Sequence, residues 1–442
     1  MGGRLRELRE KASAWRSDHI NDQTLVFSLA IITGAVAGVG ATALKMGIEV
    51  ITHGFTRYFN PAGPNWAILM LPVIGIMLTG WYQRHVVHAD LTHCVRHIGV
   101  ALKSHRYALP PYLCYAPGIA TSITLGFGGS AGAEGPVAYI GAAIGSNVAR
   151  VCRLKPRLML IMLACGAGAG IAGIFKAPVG GFLFTLEVLR LELSTISVVA
   201  CLLACVTSAI VVDMLSGFSV DLTTLQAVSL DTRLLPYLVL LGLACGLYSL
   251  YYSYIMSRME SFYDSLRRPW VRNLVSGAVL AVIVFVFPSM YGEGYDVMSL
   301  ILDGDPAMLS SRSIFSGYTS GAGLVLVAGA IVALKAFACS ASNCGGGVAG
   351  DFAPTLYAGC VLGFFFASAL NVFFATDLPV GVFAFCAMSG VMSGVIRAPL
   401  MAVFLTAEMT SGSVQFLPLL IVSGVSYIIM WVMKPQKMYS TI

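Results

Sequence analysis

Residues 132–145 read GAEGPVAYIGAAIG. A lone glutamate, Glu134, stands between glycines, ahead of a proline and a long apolar run. The rest of the chain makes that placement costly. Of 442 residues, 57% are hydrophobic and only 11% charged, where soluble domains carry about 25% charge. Apolar runs such as TLVFSLAIITGAVAGVGATAL, LVSGAVLAVIVFVF and FLPLLIVSGVSYIIMWVM approach the roughly 20 residues that cross a bilayer. The composition therefore predicts an all-α polytopic membrane protein. Many runs are broken by the 47 glycines and 18 prolines, so some helices tilt, stop part-way or re-enter. Broken helices at membrane depth persist only inside the protein or around a watery cavity, an arrangement common in transporters.

The opening stretch occurs twice. GAEGPVAYIGAAIG aligns with GDFAPTLYAGCVLG, 218 residues on (132 to 350), matching Gly132, Pro136, Tyr139, Gly141 and Gly145 to Gly350, Pro354, Tyr357, Gly359 and Gly363. Further along, GIFKAPVGGFLFTLEV meets GVIRAPLMAVFLTAEM, matching Lys176, Pro178, Thr185 and Glu187 to Arg397, Pro399, Thr406 and Glu408. Two motifs in one order at nearly one offset define an internal repeat. The expected layout is a cytoplasmic amphipathic segment at 1–24, repeat one at 25–215, a connector at 216–234, and repeat two with a C-terminal tail at 235–442. Repeats of this kind in transporters are often inverted about an axis in the membrane plane.

Proline favours the first helical position, and glycine ahead of it admits a ligand close to the backbone. Pro136 and Pro354 are thus expected to start helices, with Gly132, Gly135 and Gly350 shaping the approach. The first N–H groups of a helix lack partners and carry the positive end of its dipole. Inverted symmetry would aim both starts at one point and build an anion site from backbone. Glu134 then reads as a tethered anion: ionised, it fills the site, and protonated, it leaves. A plain helix-capping glutamate is the competing reading.

At this point the ordered motifs resemble those of the CLC chloride channels and chloride/proton antiporters. GAEGP resembles their GREGP and GDFAP their GxFxP, and YGEGYDVM (291–298) resembles a glycine-rich turn opening a second-half helix. KPQKMYSTI resembles the tail that carries a central tyrosine, here Tyr439. The resemblance implies a CLC-like fold of two inverted repeats with about 18 tilted and broken helices. It implies a homodimer with one pore per subunit, gated by Glu134. It also implies anion contacts from the Tyr439 hydroxyl and the N–H groups of Asp351 and Phe352, and no cytoplasmic regulatory domain after Tyr439.

Several residues depart from that pattern. The family's serine-bearing motif has no clear match in HVVHADLTHCVRHIG, where Thr92 is the nearest hydroxyl and the weakest of the anion contacts offered. The arginine before the gating glutamate is Ala133. At the antiporters' internal proton-relay position stands Val188, which carries no proton, although some antiporters lack that glutamate. Passive, channel-like chloride conduction is therefore the leading expectation and chloride/proton antiport the alternative. Glu187 and Glu408 read as structural, capping or bridging within their own half. Asp351 is expected to present its N–H to the anion with its side chain turned away. Lys176 and Arg397 are either funnel charges or helix-end anchors.

A cation or metal transporter built on His85, His88, His93, Cys94, His97, Asp351 and Glu134 is the remote alternative. Cation sites want converging carboxylates or carbonyls, and paired helix starts have the opposite polarity. No protease-like arrangement lies in the spans, so no enzyme, cofactor or resident metal is expected, and the eleven cysteines show no CxxC pair. Arg4, Arg6, Arg9, Lys11 and Arg16 at one end, with Lys434 and Lys437 at the other, favour cytoplasmic termini. The expected setting is the cell membrane, the expected partners being chloride or other small anions, lipid and a second copy, not nucleic acid.

Overall fold

A computed structural model describes residues 21–56, 67–105, 107–216, 232–310, 313–410 and 416–434. Among the described residues there are sixteen α-helices and no strand, only an isolated antiparallel bridge between Gly132 and Gly350. The helices are α1 (Asp22–Thr56), α2 (Ala67–Tyr82), α3 (Cys94–Lys103), α4 (Ala116–Gly126), α5 (Glu134–Val151), α6 (Pro156–Phe175), α7 (Pro178–Glu187) and α8 (Thr195–Ser216). After them come α9 (Leu235–Ser265), α10 (Pro269–Val286), α11 (Tyr295–Leu302), α12 (Gly321–Cys344), α13 (Phe352–Phe374), α14 (Val380–Ile396), α15 (Pro399–Glu408) and α16 (Phe416–Met433). Eight are long and apolar enough to cross a membrane.

Lengths are uneven, as the glycine and proline content implies. Helix α1 has 35 residues, about 52 Å at 1.5 Å per residue, which exceeds the ~30 Å hydrocarbon layer and requires tilt. Helices α7 and α15 have 10 residues each and reach only part-way. Ile31, Ile32, Val36 and Val39 on α1, and Ile428, Trp431 and Val432 on α16, are exposed. An apolar rim of this kind suits lipid and would be a liability in water.

The repeat seen in the sequence recurs in the packing. Helix α5 lies on α6 and α13 on α14, α1 pairs with α8 and α9 with α16. Matched glycines make the first two contacts. A Cβ on Gly141 or Gly145 would collide with the carbonyls of Gly166 and Met162, and one on Gly359 or Gly363 with those of Ala387 and Phe383. Small residues let helix backbones close to this range where no hydrophobic force drives helices together.

Helices α6 and α14 both end in a left-handed basic residue, Lys176 at φ 52° and Arg397 at φ 61°, before an Ala-Pro step opens α7 or α15. Both side chains are engaged at helix ends. Lys176 pairs with Asp213 at 2.8 Å, and the buried Arg397 donates to the Lys434 carbonyl.

Glu187 and Glu408 do cap helices, but across the repeats, which corrects the expectation that each serves its own half. Glu187 accepts from the N–H groups of Leu400 and Met401 (3.3 and 2.8 Å) at the start of α15. Glu408 accepts from those of Val179 and Gly180 (3.1 and 2.8 Å) at the start of α7. Helices α7 and α15 pack on one another so that the end of each meets the start of the other. A carboxylate at a helix start contributes about 0.3–1 kcal/mol.

The tight pairing of α5 with α6 makes Gly141 sensitive. Gly141→Ala is expected to lower the thermal midpoint in detergent by the ~1–3 kcal/mol typical of overpacking. Gly424 has open space where a Cβ would go, so Gly424→Ala should leave the midpoint unchanged or raise it slightly.

Candidate functional site

Helices α5 and α13 begin at Glu134 and Phe352, so Pro136 and Pro354 occupy the third helical position instead of the expected first. The first intrahelical bonds run from Val137 N–H to Ala133 and from Thr355 N–H to Asp351. A proline in the first turn sacrifices no bond, because N–H groups there have no helical acceptor.

The two starts are locked together. Gly132 N–H donates to the Gly350 carbonyl at 2.9 Å, and Gly350 N–H to the Gly132 carbonyl at 2.6 Å. This reciprocal exchange between residues matched by the repeat is two-fold symmetric and brings both positive helix ends to one place. A Cβ on Gly350 would meet the Gly135 nitrogen at 2.7 Å, so only glycine permits the approach.

The Glu134 carboxylate lies over this bridge, fully buried. A Cβ on Gly132 would collide with its Oε2, and one on Gly350 would sit 3.4 Å from it. Oε1 accepts from the Tyr295 hydroxyl at 2.9 Å. Oε2 makes no hydrogen bond. A tethered carboxylate thus rests between two helix starts, each equivalent to about half a positive charge.

A buried cation holds the loop that leads to Glu134. Lys335 on α12 is fully buried; its Nζ donates to Ser130 Oγ at 2.9 Å and lies 4.3 Å from the Tyr357 ring centre. Ser130 lies in the loop leading to Glu134, and its N–H donates to Ser342 Oγ at 2.9 Å. The 291–295 turn closes the site from another side. Tyr291 donates to the Gly126 carbonyl at 3.1 Å, and Glu293 Oε1 accepts the Ala133 N–H at 3.2 Å. Gly292 (φ 71°) and Gly294 (φ 86°) supply the left-handed backbone that this turn needs.

Neither Lys335, Glu293 nor Tyr295 was singled out by sequence reasoning. Lys335 had a legible signal, one lysine inside the apolar α12 run. The contacts of Glu293 and Tyr295 join residues 160 and 161 positions apart, and nothing local announces them.

A cavity of about 260 Å³ opens beside the bridge, lined in part by Gly135, Gly350, Asp351, Phe352, Arg96 and Glu260. Asp351 turns its side chain toward α12, where it accepts from Asn343 Nδ2 and Cys339 Sγ. Phe352 is buried, edge-on to Phe184 at 5.9 Å. The offered contact at Thr92 meets a different arrangement. Its hydroxyl donates to Asp90 Oδ1 at 2.6 Å, and Thr92 is not among the residues lining the cavity. The start of α3, at Cys94 and Val95, lines it instead.

The histidines scatter. His93 meets Glu260 at 3.7 Å and His97 packs against Tyr139, with no group of three or more metal-ligating side chains among the described residues. Val188 lines a second cavity of about 320 Å³ with Glu187, Glu192, Lys103 and His105, and Val95 borders both cavities. Tyr439 lies outside the described residues.

Residues 75–430 match the family described as "Voltage gated chloride channel", and the chain belongs to it. It is 28% identical over 325 residues to the H(+)/Cl(-) exchange transporter ClcA of Vibrio cholerae, spanning 72% of this chain and 66% of that relative. It is 27% identical over 434 residues to ClcA of Vibrio parahaemolyticus, spanning 94% and 88%. The structure of a slow cyanobacterial Cl-/H+ antiporter shares the fold, with TM-score 0.78 at 21% identity, covering 96% of this chain and 97% of that one.

Lys335 offers a direct check on the electrostatics. A unit charge at this depth contributes on the order of 1–2 kcal/mol to a neighbouring anion. Lys335→Met should therefore weaken calorimetric halide binding about tenfold, while Lys335→Arg largely retains it. Equal affinity in Lys335→Met would assign Lys335 to packing alone.

Proposed function

We propose that the protein exchanges chloride, or a similar small anion, for protons across the cell membrane, with Glu134 as the shared gate. The observation that carries this reading is the Glu134 carboxylate seated between the starts of α5 and α13. The seat suits an anion, and the gate competes for it with its own charge. Protonation removes that charge, so the side chain gives up the seat and a free anion takes its place. The N–H groups of Glu134, Gly135, Phe352 and Ala353 would hold it with little need for a full positive charge close by, which favours exit as well as binding. The positive helix ends disfavour a cation.

Exchange is favoured over the passive conduction expected from Val188. That expectation rested on one side chain, whereas the relatives named above are exchange transporters. Val188 also borders a cavity whose 320 Å³ accommodates about ten waters at ~30 Å³ each. A hydrated path there, bordered by Glu187 and Glu192, can serve although position 188 carries no carboxylate. In this reading the protein works as a homodimer with both termini cytoplasmic.

Reconstituted liposomes test the proposal. An imposed chloride gradient should drive protons uphill, recorded with a pH electrode. Chloride flux should rise on acidification, because protonation withdraws the competing carboxylate. Glu134→Gln should abolish proton movement and make chloride flux nearly independent of pH. Chloride flux without any uphill proton movement would restore passive conduction. An unchanged flux and pH response in Glu134→Gln would reduce Glu134 to a cap.

A further inference from the structure

We propose that Glu293 is a second proton-carrying carboxylate, handing protons to and from Glu134 on the side of the gate closed by the 291–295 turn. The inference rests on Glu134 as the gate. The turn is clamped around that residue at consecutive points: Glu293 accepts the N–H of Ala133, immediately before the gate, and Tyr295 donates to the gate carboxylate itself. The Glu293 carboxylate is therefore held against the residue that adjoins the gate, at 3.2 Å from the Ala133 nitrogen. Glu134 Oε2 is buried with no hydrogen bond, which leaves that oxygen free to receive a proton.

Glu293 also faces a charged group that Glu134 lacks. Lys45 on α1 bears on it, together with Glu49 from the same helix and Asp296 from α11. The Lys45 ammonium lies 5.2 Å from the Tyr295 ring centre, so it reaches the edge of the gate. Asp296 is exposed and Glu293 only partly buried, so this cluster leads from Glu134 toward the surface.

The transfer balances without any further reactant. A proton leaves a carboxyl oxygen of Glu293 and ends on the Glu134 carboxylate. One O–H bond breaks and one forms. The single negative charge moves from Glu134 to Glu293, where Lys45 and the Ala133 N–H hold it, and no electron is transferred. Two neighbouring like charges resist joint ionisation, so one proton divided between them is the stable arrangement.

A structural role for Glu293, as a mere acceptor for Ala133, is separable by substitution. Glu293→Gln keeps an amide oxygen for that N–H but carries no transferable proton. In liposomes, chloride-driven proton uptake should fall at least tenfold in Glu293→Gln while chloride flux persists. The pH of half-maximal flux should move down by about one unit, because a neighbouring negative charge that favours protonation of the gate is gone. Glu293→Asp should restore both. Lys45→Met provides an independent arm that leaves the turn intact: removing the cation favours protonation, so its half-maximal pH should move up. Wild-type proton uptake and pH profile in Glu293→Gln, or no shift in Lys45→Met, would overturn the proposal. If Glu134→Gln alone left flux and its pH response unchanged, the gate reading would fall first and this inference with it.

Discussion

Two helix starts pointed at one another inside a protein call for an anion between them. Each brings unpaired N–H groups and the positive end of a dipole, and inside the protein their repulsion is poorly screened. The Gly132–Gly350 exchange holds the starts together in spite of this, and the Glu134 carboxylate supplies the missing charge. The rest of the site follows from that constraint. Glycine is required at Gly350 by the Gly135 backbone, a side chain at Gly132 would displace the Glu134 carboxylate, Lys335 adds a buried cation behind Ser130, and the 291–295 turn fixes the carboxylate through Tyr295.

The scaffold turns one motif into a two-sided seat by using it twice. Close glycine-mediated packing of α5 on α6 and of α13 on α14 sets the direction of each start. The crossed caps of Glu187 and Glu408 tie α7 to α15, so the halves are joined by charge and dipole at a second place as well as by the bridge. A membrane protein gains little from hydrophobic force between helices. Polar ties and close backbone contact therefore carry much of the specificity here.

What was legible in the sequence was what repeats or has a period. The matched Gly, Pro and Glu positions announced the two halves, and composition announced the membrane. Helix starts were misplaced by two residues because proline is tolerated throughout the first turn, so the motif alone does not fix its register. The crossed caps were read as local because repeat alignment pairs Glu187 with Glu408 without saying which helix each reaches. Thr92 was offered because it is the nearest hydroxyl in sequence; in space the Asp90 turn claims that hydroxyl and the backbone start of α3 meets the cavity. Glu293 and Tyr295 carry no local signal, because their partners lie some 160 residues away.

If Glu134 occupies a seat built for a free anion, neutralising its side chain should let such an anion be located there. Crystals of Glu134→Gln soaked in bromide should give an anomalous peak where the wild-type carboxylate rests, between the starts of α5 and α13. Wild-type crystals at alkaline pH should lack it. A Gln variant with no peak there, or a wild type with the same peak and its carboxylate unmoved, would mean that the carboxylate and a free anion do not share this seat.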